Sequence, residues 1–170
     1  MERSEYMEAS EFWNRKDANG KKADRSAVLA VAEEIILANK NCALATGSGD
    51  FVRCSPVDYT YHDGAFWVFT EGGLKFKALA ENKNVSLAIW DRNGTFGTLQ
   101  SVQVMGTAEL IEPFSTEYNR NAELRKIPLD TLKKLTYPMY LIKITPTEII
   151  VLDSSFKKDG FDSREIWRAE

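Results

Sequence analysis

The chain has 170 residues, of which 44% are hydrophobic and 28% are charged, which is typical of one compact domain. The formal net charge is −3, so the chain as a whole does not attract nucleic acid or an anionic membrane. It contains no long apolar run, and its first residues are charged where a signal peptide would be apolar. We therefore expect a cytoplasmic protein, in which any bound anion is held by a local group of cations.

The N-terminal residues 1–24 mix charges and aromatic side chains without a clear period, and we expect them to form a mobile arm. From Ser26 onward, apolar residues recur at helical spacing, which predicts a helix that ends near Asn39. The folded domain is expected to span residues 25–153. Residues 154–170 are expected to form a polar tail, with Ser154 to Lys157 in a solvated loop.

The middle of the chain reads as consecutive hairpins. Three strand-like runs, 42–46, 51–61 and 65–70, are separated by turns that contain Gly or Asp-Gly. A short helix over 74–81 then leads to a fourth strand around residues 85–89. This order excludes a doubly wound parallel sheet and favours an antiparallel barrel. The glycines of Gly47-Ser48-Gly49 precede a strand, so they indicate a hairpin turn and not a dinucleotide-binding loop.

The second half supplies two more strands. The fifth, over 99–111, is long enough to bend at Gly106, and the sixth comprises residues 139–144 with the extension 149–152. The stretch 113–135 between them reads as helical, is interrupted at Pro128, and has three leucines expected to be buried: Leu124, Leu132 and Leu135.

The cysteines and the single histidine do not indicate a metal site or a disulfide framework. Cys42 and Cys54 belong to separate strands, and no CxxC motif or zinc-ligand set is present. We expect both thiols to be reduced. His62 precedes Asp63-Gly64 at a hairpin tip and is expected to lie in water, without the buried and oriented setting of a catalytic base.

One group of residues could converge on a phosphate. In strand alternation Arg53, Ser55 and Val57 point to one side, while Lys75 and Lys77 open a helix directly after a glycine turn. Two or three cations, a hydroxyl and backbone amides at a helix start are the groups that bind phosphate in proteins. Solvated lysines at a helix start would give the same pattern, so the spacing alone leaves both readings open.

The residues from Cys42 to Ile89 resemble the FMN-binding split barrel of the pyridoxamine 5′-phosphate oxidase superfamily. The shared features are a strand with an Arg, an aromatic-Thr strand end at Phe69-Thr70, a Gly-x-Lys helix start at Gly73 and an Asn-x-x-Val entry to the next strand. The similarity extends over about residues 26–112. It implies a mainly β protein, with a six-stranded antiparallel split β-barrel and FMN as cofactor.

The resemblance also implies which residues contact FMN. It assigns the phosphate to Arg53 and Lys75. It assigns the ring and the ribityl chain to residues 54–57 and to the strand end at Phe69-Thr70. Further contacts are implied for Lys77, for Ser101 on the fifth strand and for Trp167 near the C-terminus. The full implied set is Arg53, Cys54, Ser55, Pro56, Val57, Phe69, Thr70, Lys75, Lys77, Ser101 and Trp167.

Three departures separate the chain from true pyridoxamine 5′-phosphate oxidases. Ser101 stands where those oxidases have Gln, and Asp58 stands where they have a Lys that holds the substrate phosphate. Trp167-Arg168 lacks the Arg-x-His pair that follows their tryptophan. A carboxylate repels phosphate at short range. The chain is therefore more similar to the general-stress and other flavin-binding members.

Several functions are compatible with this resemblance. The leading expectation is a flavoprotein oxidoreductase that reacts with NAD(P)H or another small-molecule substrate, and whose chemistry belongs to FMN. A non-catalytic FMN store or electron carrier would use the same phosphate site, as would a relative that binds the deazaflavin F420. Haem is ranked last because it usually needs an axial histidine, and His62 is at a turn.

A homodimer with FMN at the interface is also expected. A split barrel of this size leaves one sheet face without cover from its own chain, and exposed apolar faces of that kind are usually buried by a twofold axis. Trp67, Trp90 and Phe96 are the apolar side chains expected at this interface.

Overall fold

The computed structural model describes residues 2–91, 94–95 and 98–170. Phe96, one of the aromatic residues expected at a dimer interface, lies outside the described residues. The described residues form five α-helices, eight strands and one 3-10 helix. The helices are α1 (Arg3–Asn19), α2 (Arg25–Ala38), α3 (Lys75–Glu81), α4 (Thr116–Leu124) and α5 (Leu129–Lys133), and the 3-10 helix spans Ser154–Asp159. The strands are β1 (Asn41–Ser48), β2 (Phe51–Asp58), β3 (Thr60–His62), β4 (Ala65–Thr70), β5 (Asn84–Trp90), β6 (Ser101–Ile111), β7 (Tyr140–Leu152) and β8 (Arg164–Arg168).

The strands form one antiparallel sheet that curls into a split barrel. Its order is β2-β1-β5-β6-β7-β4-β3, and β8 pairs with β7. The antiparallel split barrel predicted from the sequence is confirmed, but six strands was too few. The predicted run 51–61 divides into β2 and β3 at Tyr59, whose amide donates to the carbonyl of Lys40 at 2.9 Å. The predicted tail contributes a further strand, β8.

β6 bends at Gly106, as predicted. The pairing of β6 with β7 shifts register between Met105 and Gly106, which marks a β-bulge. A Cβ atom at Gly106 would lie 2.5 Å from the carbonyl oxygen of Thr145. Only glycine allows the two strands to approach so closely, so this residue sets the bend where β6 pairs with β7.

Two apolar clusters lie on opposite faces of the sheet. On the inner face, α2 contributes Val28, Ala32, Ile35 and Ile36 to a large core with alternate residues of the strands. On the outer face, α4 and α5 cover only the half of the sheet around β4 and β7, where Trp67, Tyr118 and Leu132 pack together. Trp67 is only 3% exposed, so the expectation that it would be a surplus apolar residue is wrong.

The other half of the outer face is less covered. Alternate residues of β1, β2, β5 and β6 point away from the inner core, and their side chains are half-buried or exposed. Ten of them form what we call the open face: Ala43, Ala45, Cys54, Pro56, Ser86, Ala88, Trp90, Ser101, Gln103 and Met105. These ten are neutral and mostly small, and Asp58 with its register partner Asn41 continues the same face at the end of β2.

The N-terminal segment is a helix and not an irregular arm. Helix α1 begins with a capping box between Glu2 and Glu5, and it buries no residue. Its last turn is held to the start of β8 by an ion pair between Asp17 and Arg164, and a second pair joins Lys16 to Asp162 at 3.3 Å. Because no face of α1 is buried, its apolar residues have no reason to follow a helical period.

The C-terminal segment was expected to be a solvated tail, and this is also wrong. Phe156, within the 3-10 helix, is 5% exposed and belongs to the inner core. The carboxylate of Asp153 accepts a hydrogen bond from the Ser155 amide at 2.7 Å and so caps this helix. β8 then pairs with the far half of β7 and packs against α2.

Two expectations about side-chain exposure are corrected around α4. Of the three leucines expected to be buried, Leu132 is buried, whereas Leu124 and Leu135 are exposed. Helix α4 is short and buries Tyr118, Asn121 and Ala122, so Leu124 falls outside its packed face.

His62 is half-buried and not free in water. Its ring stacks on Trp67 with a centroid distance of 5.1 Å and an interplanar angle of 8°. Its Nε2 lies 2.9 Å from Oδ1 of Asn121, and its Nδ1 lies 3.1 Å from Oδ2 of Asp63. Helix α4 covers this hairpin tip, and the sequence around His62 could not show that cover.

Candidate functional site

A cavity of about 660 Å³ lies where the barrel is split, between the edge strand β2, the end of β4 and the start of α3. Its volume is within the range of sites that bind small molecules and cofactors. The described residues that line it are Asn41, Arg53, Ser55, Pro56, Val57, Asp58, Phe69, Thr70, Gly72, Gly73, Leu74 and Lys75. Seven of the residues that the resemblance implied are thus brought together: Arg53, Ser55, Pro56, Val57, Phe69, Thr70 and Lys75.

Two cations lie at one end of this cavity. Lys75 is 8% exposed, and its ammonium donates to the carbonyl of Gly72. Burial lowers the pKa of Lys75, and the nearby guanidinium of Arg53 lowers it further. Neither cation forms an ion pair with a carboxylate among the described residues. A bound anion would relieve this unfavourable pairing of like charges.

A glycine turn brings the two cations within reach of a ligand. Gly72 and Gly73 have φ angles of 110° and 94°, a region that other residues rarely adopt. Thr70 lies just before the turn, and its hydroxyl accepts a hydrogen bond from the Gly72 amide at 3.4 Å. This conformation ends β4 and turns the chain directly into α3, so Lys75 points back into the cavity.

The opposite end of the cavity has a different chemistry. Asp58, the last residue of β2, forms an ion pair with Arg125 at the end of α4. Asn41 is the register partner of Asp58 and also lines the cavity. Asp58 was predicted from the sequence as a departure from the oxidases, whereas Arg125 and Asn41 were not predicted at this site. The predicted pairing of the first two strands could have placed Asn41 beside Asp58. No local pattern in the sequence indicates that Arg125 lies near Asp58.

Four implied residues do not line this cavity within the protomer. Cys54 and Ser101 lie on the open face. The ammonium of Lys77 lies over the ring of Phe51, 4.9 Å from its centroid. Trp167 packs against the inner core, with the guanidinium of Arg25 over its ring at 5.2 Å.

The described cysteines and acidic residues form no group that could bind a metal ion. Burial raises the pKa of the Cys42 thiol to about 12, so this thiol is a core group and not a nucleophile. Within residues 2–91, 94–95 and 98–170, no group of three or more His, Cys, Asp or Glu side chains could hold a metal ion.

None of the helices described is long and apolar enough to cross a membrane.

Comparisons with known proteins cover the part of the chain that forms this cavity. A family model described as pyridoxamine 5′-phosphate oxidase matches residues 29–151, which include all of the cavity residues. The chain belongs to the pyridoxamine 5′-phosphate oxidase family. The matched region begins inside α2 and ends in β7, so α1 and β8 lie outside it. A comparison with curated proteins finds no match.

Solved structures similar to this member of the pyridoxamine 5′-phosphate oxidase family have several different names. A FAD-binding protein from Mesorhizobium loti is 21% identical, with a TM-score of 0.57 over 71% of this chain and 89% of that one. General Stress Protein 26 from Bacillus anthracis is 21% identical, with a TM-score of 0.56 over 82% and 97%. HutZ, the heme storage protein from Vibrio cholerae, is 16% identical, with a TM-score of 0.56 over 68% and 87%. At these identities, the likeness shows the shared fold alone.

Proposed function

We propose that this protein is a flavoprotein oxidoreductase that binds FMN in the cavity at the split of the barrel. The observation that carries the proposal is the buried ammonium of Lys75 beside Arg53, with no carboxylate paired to either cation among the described residues. A phosphate monoester supplies the missing negative charge, and charge-assisted hydrogen bonds to it are stronger than neutral ones. FMN would supply the hydride or electron transfer, while the protein binds and orients it.

The cavity residues fit the rest of this cofactor. Ser55 and Thr70 offer hydroxyl groups next to the cations, suited to the ribityl chain. Pro56, Val57 and Phe69 provide apolar surface further along β2 and β4, suited to the flat ring. The one carboxylate among the described cavity residues, Asp58, is paired with Arg125, so the redox chemistry would belong to the flavin.

Haem fits less well, although two structural neighbours are named as a heme storage protein and a heme binding protein. Haem proteins commonly hold iron by a histidine nitrogen. The single histidine, His62, does not line the cavity, and both of its ring nitrogens lie within 3.1 Å of oxygen atoms of Asn121 and Asp63.

The experiment that tests the proposal is a titration of the purified protein with FMN, followed by quenching of flavin fluorescence. We expect saturable binding at micromolar concentration and the absorption spectrum of oxidised flavin. Absence of binding would contradict the proposal, and a spectrum of bound F420 or haem would replace its cofactor. Turnover of the loaded protein with NAD(P)H distinguishes an oxidoreductase from a non-catalytic FMN store.

We further propose that two copies of the chain pack through the open face. Exposed sheet faces without charged side chains are uncommon on monomers, and small neutral side chains allow two sheets to approach closely. Pro56 belongs both to this face and to the cavity, so a second copy would lie against bound FMN. Cys54 and Ser101 would then reach the cofactor across the interface. Their implied contacts with FMN depend on this dimer.

The dimer is tested by placing a charge at the centre of the open face. We expect the wild-type protein to sediment at twice its chain mass of 19.2 kDa and Ala45→Arg to sediment as a monomer, because the twofold axis would place two guanidinium groups in one apolar contact. Ala30→Arg, on the exposed side of α2, is the matched control and should remain dimeric. A wild-type monomer with FMN bound would refute the dimer.

FMN affinity is expected to fall at alkaline pH. The pKa of Lys75 is lowered, so its ammonium loses its proton at a lower pH than an ordinary lysine does, and the phosphate contact is lost with that proton. The Kd of FMN should therefore begin to rise at a pH below the ordinary lysine pKa of about 10.4. Lys75→Arg keeps its charge at such pH values and should flatten the profile. A wild-type profile as flat as that of Lys75→Arg would contradict the assignment.

Oxidation of pyridoxamine 5′-phosphate is expected to be negligible. Asp58 lies at the cavity end opposite the two cations, where a second phosphate would meet a carboxylate. The measurement is pyridoxal 5′-phosphate formation by the FMN-loaded protein under oxygen. Steady turnover would show that the substrate phosphate binds elsewhere.

A further inference from the structure

Helix α1 extends beyond the surface of its own chain that holds it. Its last turns are fixed to β8 through Arg164, whose guanidinium lies 5.4 Å from the ring centroid of Trp13 and pairs with the carboxylate of Asp17. Tyr6 lies on the same helical face as Trp13, two turns earlier and about 10 Å further along the axis. Tyr6 is 61% exposed, so most of its side chain has no cover from its own chain.

The first turns of α1 need a further contact. Most of the stability of a helix in a protein comes from the packing of one face, yet α1 has 17 residues and buries none of them. Met7 and Phe12 are exposed along this helix, as Tyr6 is. We therefore expect another surface to cover the early turns of α1.

The charge of these turns restricts what that surface can be. Residues 2–13, which we call the acidic segment, contain four glutamates and one arginine, a net charge of −3. An anionic membrane, a nucleic acid and a second acidic segment would each repel it. A complementary surface would combine apolar side chains with a positive charge.

A hollow at the border of the open face has this combination. Its volume is about 440 Å³, and it is lined by Ala43, Pro56 and Trp90 of the open face and by Lys40, which follows α2. The described residues that line it include no carboxylate. The hollow is large enough for an aromatic side chain, and it offers apolar surface beside one cation.

Strand register relates this hollow to α1. Successive register partners on β5, β6, β7 and β8 are Trp90, Ser101, Leu152 and Arg164. Register partners share one face and one position along the strands, so the hollow and the anchor of α1 lie in one row at opposite edges of the outer face. A twofold axis along the strands would exchange these edges between two packed copies. Helix α1 of one copy would then lie at the hollow of the other.

We propose that the acidic segment docks into this hollow of a second copy, with Tyr6 against Trp90 and a glutamate near Lys40. This inference rests on the proposed function, in which the open face is the dimer interface. Each copy gives one acidic segment and receives one, so the two contacts are equivalent. The acidic segment lies outside residues 29–151, which match the family model, so this contact belongs to the part of the chain that the family does not share.

The test places a photoreactive side chain at position 6 of the full chain. Unlabelled Tyr6→benzoylphenylalanine chains are mixed with wild-type chains that carry heavy nitrogen, and the mixed dimers are irradiated. Mass spectrometry then identifies the cross-linked peptides. We expect light chains joined to heavy chains, with the cross-link at residues 38–43, at residue 56 or at residue 90. Tyr137, which is 77% exposed and lies between α5 and β7, is the matched control position and should give no cross-link between chains.

Three results would overturn the inference while the protein remains a dimer. These are cross-links within one chain only, cross-links between two acidic segments, and no cross-link from position 6. A wild-type monomer in sedimentation would overturn the proposed dimer as well, so the two failures are distinguishable.

The affinity of the dimer gives a second readout. Tyr6→Ala removes the docked ring and Lys40→Glu reverses the charge of the hollow, and each should raise the dimer Kd by roughly 10- to 100-fold. Tyr137→Ala and Lys134→Glu change equally exposed side chains outside the open face and should keep the wild-type Kd. A Tyr6→Ala variant with the wild-type dimer Kd would contradict the contact.

Discussion

Lys75→Ala is expected to weaken FMN binding by roughly 1.5 to 3 kcal/mol, which is about 10- to 150-fold in Kd. The substitution removes a buried ammonium that faces the cavity beside Arg53. Arg53→Ala should have an effect of the same size, because its guanidinium is the other half of the phosphate contact. Fluorescence quenching of FMN at fixed pH and ionic strength measures both values.

Lys77→Ala is the matched control for this experiment. Lys77 is two residues from Lys75 and carries the same charge, but its ammonium lies over the ring of Phe51 and not in the cavity. Its removal should change the Kd of FMN far less than removal of Lys75. Equal losses from both lysines would indicate only a general electrostatic attraction. Unchanged affinity in both Lys75→Ala and Arg53→Ala would show that the phosphate binds elsewhere.

Gly106→Ala is expected to destabilise the fold by roughly 2 to 3 kcal/mol, the upper range of overpacking effects. The added Cβ would lie 2.5 Å from the carbonyl oxygen of Thr145 and 3.1 Å from its carbonyl carbon. Both atoms belong to the backbone of β7, so no side-chain rotation can relieve the contact. The bulge between β6 and β7 would have to open. Urea denaturation of the purified variant measures the loss.

Gly47→Ala serves as the control for Gly106→Ala. Gly47 is also within a strand, but a Cβ atom there would meet its nearest backbone oxygen, that of Phe51, at 3.4 Å, which is an ordinary contact. Its cost should be well below that of Gly106→Ala. A Gly106→Ala variant with the wild-type midpoint would mean that β6 and β7 can separate at the bulge without loss of stability.

The parts of the fold that the sequence predicted are those with a local signal. Helix α2 buries one face, so Val28, Ala32, Ile35 and Ile36 follow the helical period. The hairpins have turn residues with positive φ, such as Gly49 and Gly64. Helix α1 buries nothing, so no period marks it, and the charges around β8 hide the alternation of Glu165 and Trp167 toward the inner face.

The residues of the candidate site could be predicted from the sequence only where a local pattern groups them. Arg53, Ser55 and Val57 alternate along one strand, and Gly73 and Lys75 follow the next hairpin closely, so local spacing suffices to group them. The pair between Asp58 and Arg125 joins residues that are 67 positions apart. No local pattern encodes such a contact. Cys54 and Ser101 were placed by family resemblance, and their position on the open face leaves them outside the protomer's own cavity.

The tie between α1 and β8 has a consequence for the order of folding during synthesis. The ion pair between Asp17 and Arg164 spans 147 positions, and the Ala23 amide donates to the buried carboxylate of Glu165 across 142 positions. Helix α1 is made before β8, and it cannot form these contacts until the residues of β8 have left the ribosome. The barrel strands β1 to β7 can pair before then. A segment that precedes the barrel strands in the chain is therefore among the last to reach its final place.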